Sequence, residues 1–509
     1  MPIDLDTIQQ FKRNLQQAVI VCSDRCLLNA TKWAAELLDG INAELLQDQA
    51  NFTQDPRNAS IVSLHATDYE ASLPPLSEME YNKYLYAKAL FQAREFDHVN
   101  FVLQHQKAPK LRFLRLYARY MAGEKRKEEK GQEILGITEK KGAQNMELDI
   151  IYEDLRPDYE DNQLDAFCLY LYGIVLRRRD KPLAAATALL RSIKIYEYNW
   201  SAWMELSALV KDRKMFHDLQ NVLQQELPHS LVKNICLARL ASDLLEPKTV
   251  YKGLMDPLIR YFSKSAYLKS QWAAYLNSAM LYNESEIEFD AIRRLNPYRL
   301  EDMDVFSNIL YIINARQKLS VLARKAEQID KYRPETCCII ANYYTMKCEY
   351  SKSVPYFKRA LKLNRNYHLA WTLLGHDYIE LKNPKAAIEC YERATEISER
   401  DYRAWYGLGQ AYEVLKLPYY AAYYFQKAAH LRPHDERMWN ALAACYAALG
   451  RKVESEACFG RVQKCREEKA KVTKEETKDY LHASFFPPPD STDAIQEDQT
   501  GQGTSSQVK

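Results

Sequence analysis

Trp371-x-x-Leu374-Gly375-x-x-Tyr378, Trp405-x-x-Leu408-Gly409-x-x-Tyr412 and Trp439-x-x-Leu442-Ala443-x-x-Tyr446 set the frame of this chain, with one Trp every 34 residues. The segments between them repeat as well. Ala387, Tyr391 and Ala394 are matched by Ala421, Phe425 and Ala428, and Pro433 ends the middle unit. Trp, Leu and Tyr at these offsets share one face of a first helix, and the Ala-aromatic-Ala set shares one face of a second. Gly375 and Gly409 let the two helices approach closely. Reading Gly407-Leu408-Gly409 as a phosphate loop would require a preceding strand, which the sequence lacks.

A fixed period of roughly 20 to 50 residues marks a solenoid, and this spacing is that of the tetratricopeptide repeat. The fold class is therefore all-α, a tetratricopeptide-repeat solenoid expected to wind as a right-handed superhelix of helix pairs. The repeat core is expected to hold Trp371, Leu374, Gly375, Tyr378, Trp405, Leu408, Gly409, Tyr412, Trp439 and Tyr446.

Counting outward in steps of 34 gives six in-phase repeats over residues 266–469. Residues 166–265 read as further repeats, of which 234–265 is irregular. Residues 1–75 read as N-terminal helices and linker, with Ile8, Phe11, Leu15 and Val19 on one apolar face and Trp33, Ala34, Leu37 and Leu38 on another. Residues 76–122 form a divergent N-terminal repeat region. The charged run Glu124-Lys125-Arg126-Lys127-Glu128-Glu129-Lys130 opens a charged insertion over 123–165, expected to be partly disordered. Residues 470–509 are expected to be a charged and disordered tail, and the polar run Glu467 to Asp479 is placed to cap the last apolar face.

Charge is balanced, with 70 basic and 68 acidic side chains giving a formal net charge of +2, which argues against nonspecific nucleic-acid binding or an anionic membrane partner. The 11 Cys follow no paired spacing, so they read as small apolar residues of a reducing compartment. Cys22-x-x-x-Cys26 has no second pair and no nearby His, which favours a structural role over a metal. No run of 18 apolar residues occurs.

No phosphate loop, His-Glu-x-x-His, Cys-x-x-Cys or Gly-x-Ser-x-Gly is found, so neither catalysis nor a cofactor nor a metal is expected. A solenoid offers instead a concave groove, lined by its first helices at repeat positions 2, 5, 9, 12 and 13. Asn342 and Gln410 at position 9 have both donor and acceptor for an extended peptide backbone. Glu335, Glu380, Glu413 and Asp377 add negative charge suited to Arg on such a peptide. An equal alternative is that these are ordinary solvated helix positions. An acidic chaperone tail would need converging Lys, Asn and Arg, and a groove carrying Glu is expected not to bind one.

Several phrases are more specific than the repeat consensus. Glu301-Asp302-Met303-Asp304-Val305-Phe306, Tyr332-Arg333-Pro334-Glu335-Thr336-Cys337-Cys338, Ala370-Trp371-Thr372-Leu373-Leu374-Gly375-His376 and Arg400-Asp401-Tyr402-Arg403-Ala404-Trp405 resemble the cell-division-cycle 23, or subunit 8, family of the anaphase-promoting complex. The likeness extends to Lys32-Trp33-Ala34-Ala35-Glu36-Leu37 and covers most of residues 1–465.

That resemblance implies a noncatalytic scaffold subunit of a cell-cycle ubiquitin ligase, acting in mitosis in the nucleus and cytoplasm. The implied partners are other subunits of the complex, a second copy through the N-terminal region, and a coactivator peptide whose Arg-containing motif enters the C-terminal groove. Asn342, His376 and Asp377 fall in matching motifs and are the first candidates for that groove. Glu380, Tyr406, Gln410 and Glu413 are added from helix geometry alone. In the family further repeats follow the position of Cys465, where this chain runs into charged and Pro-rich sequence. A chaperone adaptor, or another peptide-binding repeat protein, is the alternative function.

Overall fold

The computed structural model describes residues 5–41, 69, 72–133, 144–259 and 261–479 of the protein. Among the described residues there are helices and no strands. The chain opens with a hairpin, α1 (Leu5–Asp24) and α2 (Leu28–Asp39). It is followed by α3 (Glu78–Gln92), α4 (Phe96–Val102), α5 (Pro109–Glu133) and α6 (Glu147–Glu160). Then come α7 (Ala166–Arg178), α8 (Pro182–Ile195), α9 (Trp200–Ser207), α10 (Arg213–Glu226), α11 (Leu231–Asp243) and α12 (Lys248–Ile259). The regular block holds α13 (Ala266–Ser278), α14 (Tyr282–Leu295), α15 (Met303–Ile312), α16 (Arg316–Ile329), α17 (Pro334–Met346) and α18 (Tyr350–Leu363). It continues through α19 (His368–Glu380), α20 (Pro384–Ile397), α21 (Tyr402–Val414), α22 (Pro418–Leu431), α23 (Glu436–Ala448) and α24 (Lys452–Asp479).

Local sequence explains where these helices start. Ser77 and Glu80 close a capping box at α3, with the Ser77 amide donating to Glu80 Oε2 at 2.9 Å. Pro at the first position of α8, α17, α20 and α22 costs no internal hydrogen bond. Asp401 and Asp435 accept main-chain N–H groups at the starts of α21 and α23.

The turn inside each pair is equally regular. Met280, Asn314, Cys348, Lys382 and Lys416 all have φ between 57° and 65°, and Gly450 has φ 76°. These six stand 34 residues apart. Each reverses the chain just past the end of a first helix, the left-handed closure that glycine adopts most readily.

Within a pair, the closest approach is glycine against aromatic ring. A Cβ at Gly409 would lie 2.6 Å from the Phe425 ring, and one at Gly375 would lie 2.5 Å from the Tyr391 ring. Leu374 and Leu408 are fully enclosed. Trp371, Trp405 and Trp439 are only half-buried. Their indole N–H groups donate to the carbonyls of Arg365, Glu399 and Pro433 at 2.9, 2.9 and 2.8 Å. These residues therefore tie each first helix to the preceding turn, and Tyr391, Phe425 and the leucines form the centre of the packing. Tyr378, Tyr412 and Tyr446 are half-buried at its margin.

The stretch 123–165, expected to be a partly disordered charged insertion, holds the end of α5 and the whole of α6, while its residues 134–143 lie outside the described residues. α5 runs on through the charged run to Glu133, and α6 buries Ile151 and Leu155 completely. Arg112 and Arg115 of α5 hold Asp154 of α6 at 2.9 and 2.8 Å, so the charges fasten one helix to the other. Of the tail expected to be disordered over 470–509, residues 470–479 continue α24 as helix, and the rest lies outside the described residues.

The N-terminal hairpin finds its partners far along the chain. Trp33 stacks flat on Trp200 with ring centroids 4.3 Å apart, and Phe11 meets Phe262 edge-on at 5.9 Å. Lys32 pairs with Glu301 and Glu36 with Arg299. Asp24 at the tip accepts from Lys88 at 2.9 Å and Lys110 at 2.8 Å. None of the eleven cysteines, all of them among the described residues, is in a disulfide, and only Cys348 is exposed.

Candidate functional site

The first helices of the regular block lie side by side, and a line of polar bonds runs between them. Asn342 on α17 donates its amide to Ser307 Oγ on α15 at 2.8 Å. Thr345 Oγ1, also on α17, lies 3.0 and 3.2 Å from the two carboxylate oxygens of Asp377 on α19, and Ser353 on α18 donates to the same carboxylate. Thr372 on α19 donates to Asp401 Oδ2, at the start of α21, at 2.9 Å. The buried Asn342, Asp377 and Thr372 along this floor therefore each have a partner in an adjacent repeat.

The three residues drawn from matching motifs belong to that line or to the core behind it. Asn342 is 3% exposed and Asp377 1% exposed, so each is engaged within the chain. The His376 Nδ1 and the Tyr391 hydroxyl stand 2.7 Å apart, tying α19 to α20. Burial lowers the His376 pKa to about 4, so the ring is neutral near pH 7. Burial raises the Asp377 pKa to about 6 against the hydroxyls that favour its ionised form, and neighbouring Glu380 raises it further.

The geometry-derived residues are more open. Glu380 and Glu413 are exposed, and Tyr406 and Gln410 are half-buried. Tyr311 on α15 sits in the same neighbourhood as Glu380. Its phenol pKa is raised by burial, then by the charges of Asp377 and Glu380. Tyr350 at the start of α18 feels burial, Cys348 and then Glu380. The result is a carboxylate edge, Glu380 with Asp377 behind it, beside two phenol rings. Such a site offers a guanidinium both an ion pair and an aromatic face. Sequence reasoning missed the two tyrosines because they come from the preceding units. Glu335, counted among the groove acids, is instead held by Arg333 at 2.9 Å.

Among the described residues, no group of three or more His, Cys, Asp or Glu is placed to hold a metal ion, and no helix is long and apolar enough to cross a membrane.

Comparison with known proteins adds a family. A family model described as anaphase promoting complex subunit 8 / Cdc23 matches residues 10–273, and a TPR repeat model matches residues 375–415. Anaphase-promoting complex subunit 8 of Arabidopsis thaliana is 39% identical over 395 residues, covering 74% of this chain and 66% of the relative. Anaphase-promoting complex subunit CDC23 of Saccharomyces cerevisiae is 33% identical over 444 residues, covering 75% of this chain and 71% of the relative. The cell division cycle protein 23 homolog of Homo sapiens is 38% identical over 332 residues, and this chain spans about half of its length (51%). Among solved structures, the APC/C hetero-tetramer Cut9-Hcn1 matches with a TM-score of 0.51 at 15% identity, covering 77% of this chain and 80% of that one, a likeness of fold.

Proposed function

Because the chain belongs to the anaphase-promoting complex subunit 8 / Cdc23 family, we propose that it is a noncatalytic scaffold subunit of that complex, a ubiquitin ligase of the cell cycle. It assembles with other repeat subunits and receives the Arg-containing motif of a coactivator in its C-terminal groove. Assembly is supported by the relatives, which are named as subunits of one complex, and by a fold shared with a chain of the Cut9-Hcn1 hetero-tetramer. Pairing with a second copy would use the N-terminal hairpin, where Val19, Ile20, Ala35, Leu38 and Ile41 line a cleft of about 580 Å³ rimmed by Lys12, Gln16 and Asp39. The protein works in the nucleus and cytoplasm, which imaging of a fluorescent fusion through mitosis tests.

The observation that carries the docking role is the exposed Glu380 carboxylate beside Tyr311 and Tyr350, with Asp377 behind it. Asn342 and Asp377 serve this groove from within, by holding α15, α17 and α19 in register. Fluorescence anisotropy with an extended Arg-containing coactivator peptide tests it. Glu380→Gln should weaken binding roughly tenfold, the scale of one charge-assisted hydrogen bond. An affinity unchanged in Glu380→Gln and in Glu413→Gln would remove the groove assignment.

A further inference from the structure

The superhelix closes on itself. Arg400, in the turn before α21, donates to the carbonyl of Val210, just past α9. Arg432, in the turn before α23, donates to the carbonyl of Ser278, the last residue of α13, at 2.5 Å. Both bonds join repeats that are far apart in sequence. Along the second seam, Tyr282 at the start of α14 faces Tyr402, Arg403, Arg432 and Arg437, all close enough for their charges to act on its phenol.

Charge is not balanced there. Arg403 is matched by Asp401 at 3.1 Å and Arg437 by Asp435 at 2.8 Å. Arg432 lies over the ring of Tyr402 at 4.4 Å and donates to a main-chain carbonyl, but among the described residues it has no carboxylate within ion-pair distance. Burial, and after it the like charge of Arg403, work against its protonated form, while Tyr402, Tyr282 and, least, Asp435 favour it. The cluster is also open to solvent. Arg437 keeps 57% of its side chain accessible and Arg403 keeps 32%. Burial is nonetheless the largest influence on the ionisation of Arg403. Arg403 and Arg437 therefore reach solvent from a densely packed surround.

We infer that this seam is a binding site for a peptide carboxylate, with Arg432 as the central guanidinium and Arg403 and Arg437 as its flanks. The three cations and two aspartates leave one positive charge, which a single carboxylate neutralises. Arg432 presents a planar fork already oriented by its stack on Tyr402, so little freedom is lost on binding. The partner is an acidic segment of another protein, recognised by charge opposite to that of the carboxylate edge at Glu380. The expectation that a groove carrying Glu does not bind an acidic chaperone tail concerned other positions. That expectation rested on first-helix positions, whereas the uncompensated charge sits in a turn.

The test uses the full chain and three fluorescent peptides that differ only at three consecutive positions, carrying Glu, Gln or phosphoserine. The Glu peptide should bind saturably, and its Gln counterpart at least tenfold more weakly. Arg437→Ala, which touches no seam bond, and Arg432→Ala should each weaken the Glu peptide by roughly ten- to a hundredfold. Both should leave the affinity for the Arg-containing peptide at Glu380 unchanged, which separates failure of this site from failure of that groove. A loss of Arg-peptide binding in Arg432→Ala would mark an opened seam, and Arg437→Ala then decides alone. Equal binding of Glu and Gln peptides, an unaltered Glu affinity in Arg437→Ala, or a more than tenfold preference for phosphoserine would each overturn the assignment.

Discussion

Gly375→Ala is the most informative single perturbation of the solenoid. The new Cβ would lie 2.5 Å from Cε1 of Tyr391 and 2.8 Å from its Cδ1 and Cζ. Carbon atoms prefer about 3.5 to 4.0 Å, so the ring would have to move by roughly 1 Å. It has no room to do so, because Gly407 of the next unit presses on the same ring, where a Cβ would lie 2.4 Å away. Overpacking of this kind costs about 1–3 kcal/mol. Pulling the Tyr391 hydroxyl off His376 costs about 1 kcal/mol more. Against this, Ala is favoured over Gly within a helix by about 1 kcal/mol. The net expectation is a destabilisation of roughly 1–3 kcal/mol. Hydrogen exchange is the suitable assay, since repeat arrays open by neighbouring units and the loss of protection should concentrate in α19, α20 and α21. In a Tyr391→Leu background the clash disappears, and Gly375→Ala should stabilise. A stabilising effect in the parent chain, or the same effect in both backgrounds, would refute the argument that the glycine is there to seat the ring.

Two further outcomes follow from the same packing. Asp377 has a folded-state pKa of about 6 against an ordinary 3.8, so the folded protein holds the proton more tightly and stability is lost as pH rises through this window. Stability of Asp377→Asn relative to the parent should therefore improve by on the order of 3 kcal/mol between pH 4 and pH 7. His376, with its pKa lowered to about 4, acts in the opposite sense as pH falls below 6.5, but does so in both proteins and cancels in the difference. Denaturant titrations across that range check the sign, and a flat difference would contradict it. Trp33→Ala removes one face of the stack on Trp200 and should cost about 3–5 kcal/mol locally. Limited proteolysis should then cut within residues 5–41 while the repeats from α13 onward stay resistant. Unaltered cleavage kinetics would show that the hairpin is held by other contacts.

The period was legible because every unit reuses one geometry, so Trp371, Trp405 and Trp439 announce it three times. What the repeat pattern could not carry was anything that depends on a neighbouring unit. Asn342 and Asp377 sit at helix positions that would be open on an isolated pair. They are buried because the adjacent first helix lies against them and supplies Ser307 in one case and Thr345 in the other. α6 was hidden for a different reason. Its apolar face is short, essentially Ile151, Tyr152 and Leu155, and its surroundings are so charged that composition suggested a partly disordered insertion. Arg432 lay beyond local reasoning altogether, since its bond to Ser278 follows from the pitch of the superhelix. Helix position alone was sufficient to mark Glu380 and Glu413 as exposed.

The left-handed residues inside the helix pairs bear on how the molecule responds to load. Five of the six, Met280, Asn314, Cys348, Lys382 and Lys416, carry a side chain where glycine would sit most easily. A left-handed L-residue costs roughly 1–2 kcal/mol, least for Asn. The cost is spread at even intervals along the array and gathered at no single joint. A pull on the two ends would therefore be shared by equivalent elbows, each yielding slightly, and the array would stretch as a coil spring does before any one pair came apart. Within this row Gly450 is the relaxed elbow, next to α24, so the stiffness of the spring is not uniform and changes toward its C-terminal end.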